Sequence, residues 1–375
     1  MRNTSKVLSG LVVLAALAGL LLAFFQPEAS AGIGLFPLLV MSGSAAIIFV
    51  LLKRFSYLSG VAAIFAFGVT AHFLAYQLIV AAGAFPGLVS YGFWSMTIAA
   101  WALAWLFVEE LAYLKTRGNS AQRLINLIIP FVFGIWILII WQLIVRGFDI
   151  PRVLLPAPSE IGTRFAASLP ILWADFQQTF LKAVLIGYAL GCGSGFIVAI
   201  LVDRIPFLRR GLLPVGNLVS ALPIIGVAPI MVMWFGFDWQ SKAAVVVIMT
   251  FFPMMVNTVT GLAAATTMQR DLMHTYSASY WQSLMKLRLP EAMPFIFNAL
   301  KINSTLALIG AIVAEFFGTP IVGMGFRIST EVGRMNVDMV WAEIAVAALA
   351  GSLFYGIMTL LERVVTFWHP SMRGH

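Results

Sequence analysis

Long apolar runs constrain this chain before anything else does. Stretches of about 18 or more residues with almost no charge recur from one end to the other, which is the length a helix needs to cross a bilayer. Inside lipid the backbone must close its own hydrogen bonds, and a helix does so within one segment. Ten runs qualify: 7–25, 33–52, 57–82, 93–114, 126–145, 178–202, 212–235, 243–262, 295–317 and 340–360. The composition agrees, with 61% hydrophobic residues, 10% charged residues and a mean hydropathy of +0.97. An ordinary soluble domain is excluded. The expected fold is all-α and polytopic, with about ten transmembrane helices.

The net charge of +8 would suit nucleic acid, but the basic residues sit in short clusters between the apolar runs, so no nucleic-acid partner is expected. Basic residues concentrate on the cytoplasmic side of membrane proteins. With the N-terminus inside, roughly two thirds of the Lys and Arg residues fall on one face, together with both termini and the interval 271–290. A multi-pass protein of the cell's inner membrane, with both termini cytoplasmic, is the expectation. The first run is longer than the usual signal-peptide core of about 7–15 residues. It is therefore read as a retained helix, although Ala29-Ser30-Ala31 resembles a cleavage site.

The segment 115–123 carries Gly, Ser and three basic residues without an apolar period, and is read as a domain boundary. Residues 1–123 then form a four-span extension, and 124–375 a six-span domain. In the interval 146–176 several prolines interrupt the chain, and a short helix is expected to start with Ser159 as its N-cap. Gly187, Gly191 and Gly195 fall four apart on one helix face and are read as a packing seam. Pro214, Pro223 and Pro229 exclude a straight helix over 212–235.

Little points to chemistry on this chain. The P-loop pattern Gly-x-x-x-x-Gly-Lys-Ser/Thr is absent, and His72, His274, His369 and His375 are too scattered for a local metal site. Cys192 is the single cysteine, so no internal disulfide forms. Polar residues inside spans give a candidate translocation path of Asn217, Ser220, Asn257, Asn303, Ser304 and Glu315. Taken singly, each reads as an interhelical hydrogen bond before it reads as a path residue. Glu315 is either a pathway group or a structural acid paired with a cation such as Lys182. An ion-coupled secondary transporter using Glu315 and His72 as relay groups is the alternative reading.

The longest polar interval of the second half, 271–290, reads DLMHTYSASYWQSLMKLRLP. It suggests two short helices joined near Ser277–Ser279, closed by Lys286 and Arg288 before Pro290 stops the segment. This interval resembles the cytoplasmic loop of the membrane subunits of ABC-type importers, which has the pattern E-A-A, three residues, G, nine residues, I-x-L-P. Asp271 falls on the Glu, Ser277 on the Gly, Leu287 on the Ile, and Leu289-Pro290 close the pattern, while Leu272 and Met273 replace the alanines. Flanking motifs resemble the branch for nitrate, sulfonates, taurine and pyrimidine precursors. They are Leu155-Pro156-Ala157-Pro158-Ser159-Glu160, Trp234-Phe235-Gly236 with Ser241-Lys242, Phe251-Phe252-Pro253 with Asn257-Thr258, and Ala278-Ser279-Tyr280-Trp281-Gln282.

The resemblance implies a type I ABC importer permease core that pairs with a second copy of itself. It also implies cytoplasmic ATPase subunits and a periplasmic or lipid-anchored solute-binding protein as partners. ATP and Mg would then be bound by the ATPase, this chain would bind no cofactor, and it would not itself be an enzyme. The loop 263–294 would be the coupling element, with Asp271, Ser277, Ala278, Ser279, Trp281, Leu284, Leu289 and Pro290 as its functional residues.

Overall fold

The computed structural model describes residues 2–24, 36–55, 57–58, 60–114, 119–220, 223–318 and 321–368. Ala29–Ala31 and residues 115–118, 319–320 and 369–375 lie outside that set, as do the side chains of Asn217 and Ser220. The regular elements are helices, and seven helical stretches are long and apolar enough to cross a membrane. The chain divides into two compact units, Met1–Gly162 and Thr163–His375.

In the first unit, α1 (Arg2–Leu21), α2 (Phe36–Arg54), α3 (Gly60–Ala84), α4 (Tyr91–Tyr113) and α5 (Asn119–Gly147) share one apolar core. Leu8 and Val12 of α1, Leu74 and Leu78 of α3, Phe93 and Leu103 of α4, and Trp136 and Leu143 of α5 are buried in it. The sequence boundary at 115–123 places α5 with the second half. In the structure α5 packs on α3 and α4, and the compact units divide only after Gly162. The short helix α6 (Pro158–Ala167) follows. Ser159 is not its cap: its N–H donates to the Gln142 side chain at 3.0 Å, and Glu160 accepts from Ala157 N–H at 3.0 Å. Pro158 at the first helical position sets that start, since its missing N–H costs nothing there.

The second unit is built around α11 (Trp239–Ala263), which packs along α8 (Leu185–Arg204) and α14 (Leu289–Glu315). The glycine seam makes the first contact possible. A methyl group on Gly195 would stand 2.5 Å from the carbonyl oxygen of Phe251, and one on Gly187 would stand 2.7 Å from that of Ala243. Close approach of small residues is the main source of tight helix packing in lipid. The α7 helix (Leu169–Phe176) runs through a π-helical stretch, Gln177–Val184, straight into α8.

The expected span 212–235 is two helices, α9 (Pro206–Ser220) and α10 (Ile224–Phe235). Pro223, extended at φ −69° and ψ 119°, caps the second. Pro214 and Pro229 lie within helices, so of the three prolines only Pro223 stands at the break.

Two short helices, α12 (Thr267–Thr275) and α13 (Tyr280–Ser283), follow α11. Pro290 does not end the segment. A π-helical turn, Leu284–Arg288, joins α13 to α14, so Tyr280–Glu315 runs as one helical stretch of 36 residues. Pro290 falls in the first turn of α14, where a missing N–H is tolerated. The chain closes with α15 (Met324–Gly333) and the long α16 (Val337–Val365), which packs on α14.

Candidate functional site

The 266–290 segment owes its shape to local hydrogen bonds written into its sequence. Thr266 caps α12 by a capping box: Gln269 N–H donates to Thr266 Oγ1, and Thr266 N–H donates to Gln269 Oε1 at 2.8 Å. Ser279 and Gln282 repeat the device at the start of α13. The Ser-x-x-Gln spacing inside Ala278–Gln282 is therefore a helix-start signal with a physical reason. Between the helices Ser277 takes φ +52°, in the left-handed region. Ala278 N–H donates to Met273 O at 3.0 Å and Ser277 N–H to His274 O at 2.8 Å. Together these are the Schellman arrangement that ends a helix.

The base of the segment is clamped to the end of α8. Arg288 donates to both carboxylate oxygens of Asp203, at 2.8 and 2.5 Å, and Tyr280 Oη donates to the same carboxylate at 2.9 Å. The third arm of Arg288 reaches the Leu262 carbonyl at 3.0 Å. The Asp203 and Arg288 side chains are largely buried, so this ion pair is shielded from the screening that weakens surface pairs. Arg204 lies over the rings of Tyr280 and Trp281, at 5.5 and 5.7 Å, a cation–π stack.

The predicted loop residues separate into two groups. Asp271, Ser277, Ser279 and Trp281 face outward, with Trp281 53% exposed. Leu284 is 1% exposed and belongs to the core around α8, α11 and α14, so it offers no docking surface. The bend that exposes Trp281 turns the position three residues later beneath it. Ala278, Leu289 and Pro290 are half-buried supports. Sequence reasoning missed Met268, Tyr276 and Met285 as outward apolar side chains beside Leu272. Their helical spacing carries the signal for α12: Met268, Leu272 and Tyr276 are four apart, on one face.

The candidate path residues with described side chains, Asn257, Asn303, Ser304 and Glu315, are hydrogen-bonded within this chain. Asn303, fully buried, donates to the Thr250 carbonyl at 2.8 Å and to Cys192 Sγ at 3.2 Å, pinning α14 to α11 and α8. Ser304, also fully buried, returns its hydroxyl to Lys301 O. Asn257, half-buried, bonds Pro253 O within its own helix. The Asn303 amide nitrogen and the Ser304 hydroxyl are thus bonded within this chain, while Asn303 Oδ1 is buried without a partner among the described residues.

Glu315 is buried and does not pair with Lys182, which donates to Gln178 instead. It accepts from Thr179 Oγ1 and from Gly325 N–H, each at 2.7 Å, and so fixes the start of α15. Around it lies a polar cluster that sequence reading did not find. Asp175 accepts from Gly323 N–H at 2.6 Å and from Arg327 Nε at 2.8 Å, Met324 N–H donates to Thr179, and Glu343 is buried beside Asp175. Lys242 Nζ donates to Phe237 O at 2.6 Å and also to Gly318 O. At the mouth of α11 the Trp239 N–H and the Gln178 amide hold the Asp238 carboxyl below its usual range. His72, in the first unit, meets Gly68 O at 2.7 Å through Nδ1 and packs edge-on against Phe107 and Trp136, as a packing residue does. Among the described residues no group of three or more His, Cys, Asp or Glu is placed to hold a metal ion.

Residues 191–367 match the family described as "Binding-protein-dependent transport system inner membrane component". The chain is similar to a probable ABC transporter permease protein of Haemophilus influenzae, 30% identical over 242 residues, covering 64% of this chain and 98% of the relative. It is 30% identical over 239 residues to a formylaminopyrimidine transport permease protein of Halalkalibacterium halodurans, covering 64% of this chain and 95% of that one. It is also 31% identical over 237 residues to a riboflavin transport system permease protein of Chloroflexus aurantiacus, covering 63% and 88%.

Proposed function

This chain belongs to the family of binding-protein-dependent ABC transporter permeases, and from that premise we propose that it forms the translocation pathway of an ATP-driven importer for a small polar solute. The names of its relatives suggest the class: formylaminopyrimidine, aliphatic sulfonates and taurine fall within the nitrate, sulfonate, taurine and pyrimidine-precursor type read from the motifs. ATP hydrolysis belongs to separate cytoplasmic ATPase subunits, solute capture to a periplasmic or lipid-anchored binding protein, and the pathway forms between two copies of this chain.

One observation carries the coupling role. The 266–285 segment presents Leu272, Tyr276, Trp281 and Met285 outward while its base is fixed by Asp203 and Arg288. An exposed aromatic and aliphatic ridge on a rigid base is what a docking element needs, since a few such anchors carry most binding energy. Asp271, exposed on the same helix, adds a charged acceptor for a donor on the ATPase. Closure of the ATPase pair on ATP then shifts the permease between inward- and outward-facing states.

The test is co-purification and coupled transport with the cognate ATPase. Tyr276→Ala with Trp281→Ala, and Asp271→Ala separately, are expected to lower ATPase retention and uncouple hydrolysis from transport with normal insertion. Unchanged stoichiometry and unchanged coupled transport in both variants would remove the loop from the mechanism.

A further inference from the structure

Behind the exposed ridge lies a polar cavity of about 420 Å³, between the end of α8, the start of α9 and the 266–288 segment. Arg209, Arg270, Arg288, His274 and Ser283 line it, and Asp203 is the one acid among its lining residues. The charges do not balance. Arg288 turns two of its nitrogens to Asp203 and the third to Leu262 O, so that pair is internally neutral. Arg270 gives one donor to Ala263 O at 2.7 Å, while its Nε, closed off from solvent, meets no acceptor among the described residues. Arg209 is exposed. Two guanidinium groups from different helices therefore face one cavity with no carboxylate left to offset them.

Guanidinium forks match tetrahedral oxyanions, and basic pockets at the cytoplasmic ends of membrane helices accept lipid phosphates. We propose that this cavity is an anion site that takes a phosphate group, presented either by the headgroup of an anionic lipid or by a soluble phosphate. Bound there, the phosphate bridges Arg209 on α9 to Arg270 on α12 and ties the ridge to the body of the second unit. The general excess of basic residues at the inner membrane face is the competing account, and Arg210 separates the two. It neighbours Arg209 and is exposed as well, but it does not line the cavity. The site rests on this geometry and not on the transport reading. Lipid nanodiscs expose both faces, so the outcome does not depend on which face is cytoplasmic.

The full chain is placed in nanodiscs of phosphatidylcholine alone, of phosphatidylcholine with graded phosphatidylglycerol, and of phosphatidylcholine with inorganic phosphate titrated into the buffer. The readouts are the thermal unfolding midpoint and the number of phosphatidylglycerol molecules retained per chain by native mass spectrometry. A lipid source gives a saturable rise in midpoint and one retained lipid in the second series only. A soluble source gives the rise in the third. In either case Arg209→Gln weakens the apparent affinity by about tenfold, the scale of one charge-assisted hydrogen bond. Arg270→Gln acts in the same direction, and Arg210→Gln leaves the affinity unchanged. The exposed Arg209 side chain has no hydrogen bond or ion pair among the described residues, so its variant stays informative if Arg270→Gln misfolds. No saturable rise in either series, or equal losses for Arg209→Gln and Arg210→Gln, overturns the proposal.

Discussion

Ser277 holds a left-handed conformation that a side chain disfavours by about 1–2 kcal/mol relative to glycine. Ser277→Gly is therefore expected to raise stability by about 1 kcal/mol, and Ser277→Val to lower it, because a β-branched residue tolerates positive φ least. Thermal unfolding of the purified chain would check both. The seam on α8 supplies a sharper pair. Gly195→Ala drives a methyl into the Phe251 carbonyl oxygen, 2.5 Å away, whereas Gly193 has nothing within 4 Å of its added methyl. The first is expected to cost about 1–3 kcal/mol, the range of overpacking, and the second close to nothing. These positions were legible in the sequence, since a four-residue glycine period and a serine on a glycine position each have one physical meaning. Asn303 was not. An amide in an apolar helix looks the same whether it faces water or pins two neighbours, and only the positions of Thr250 and Cys192 decide.

The 266–290 segment shows where legibility ends at the scale of elements. Its two helices and their junction follow from Thr-x-x-Gln and Ser-x-x-Gln spacings and from Ser277. Its anchoring does not, because Asp203 lies 85 residues from Arg288 along the chain. Leu284 was misread for the same reason: its burial depends on α8, α11 and α14 meeting beneath it. Pro290 was misread because a π-helical turn carries the helix across it. Asp203→Ala strands the largely buried Arg288 and is expected to destabilise the segment by about 3–5 kcal/mol. Limited proteolysis in the 266–290 region should show the release, together with loss of ATPase retention, while the helices of the first unit keep their protection.

For the whole molecule, the apolar runs were readable because lipid imposes length and composition on every span, and the structure returns helices along them. The division into units was less readable. A polar linker marks where a chain leaves the bilayer, not which neighbours the next helix chooses, and α5 chose α3 and α4. A chain starting at Asn119 uncovers Trp136 and Leu143. It is expected to insert and to retain the ATPase, with a lowered unfolding midpoint and a greater tendency to aggregate on size exclusion. Topology is checked with single cysteines in a Cys192→Ser background: positions 120 and 279 should label only from the cytoplasm, and 159 and 329 only from outside. Periplasmic labelling at 279 would defeat the importer assignment. The unbroken helical stretch from Tyr280 to Glu315 has a mechanical meaning as well. Its 36 residues reach about 54 Å at 1.5 Å per residue. One end is part of the exposed ridge, and the other is bonded to Gly325 in the buried polar cluster. Under the docking role proposed above, such a stretch would act as a push-rod, with the π-helical turn at Leu284–Arg288 as a joint next to the docking end. A thrust on the ridge is either absorbed in that joint or delivered to Glu315 and the start of α15. On that reading the stiffness of these five residues would set how much of each stroke arrives.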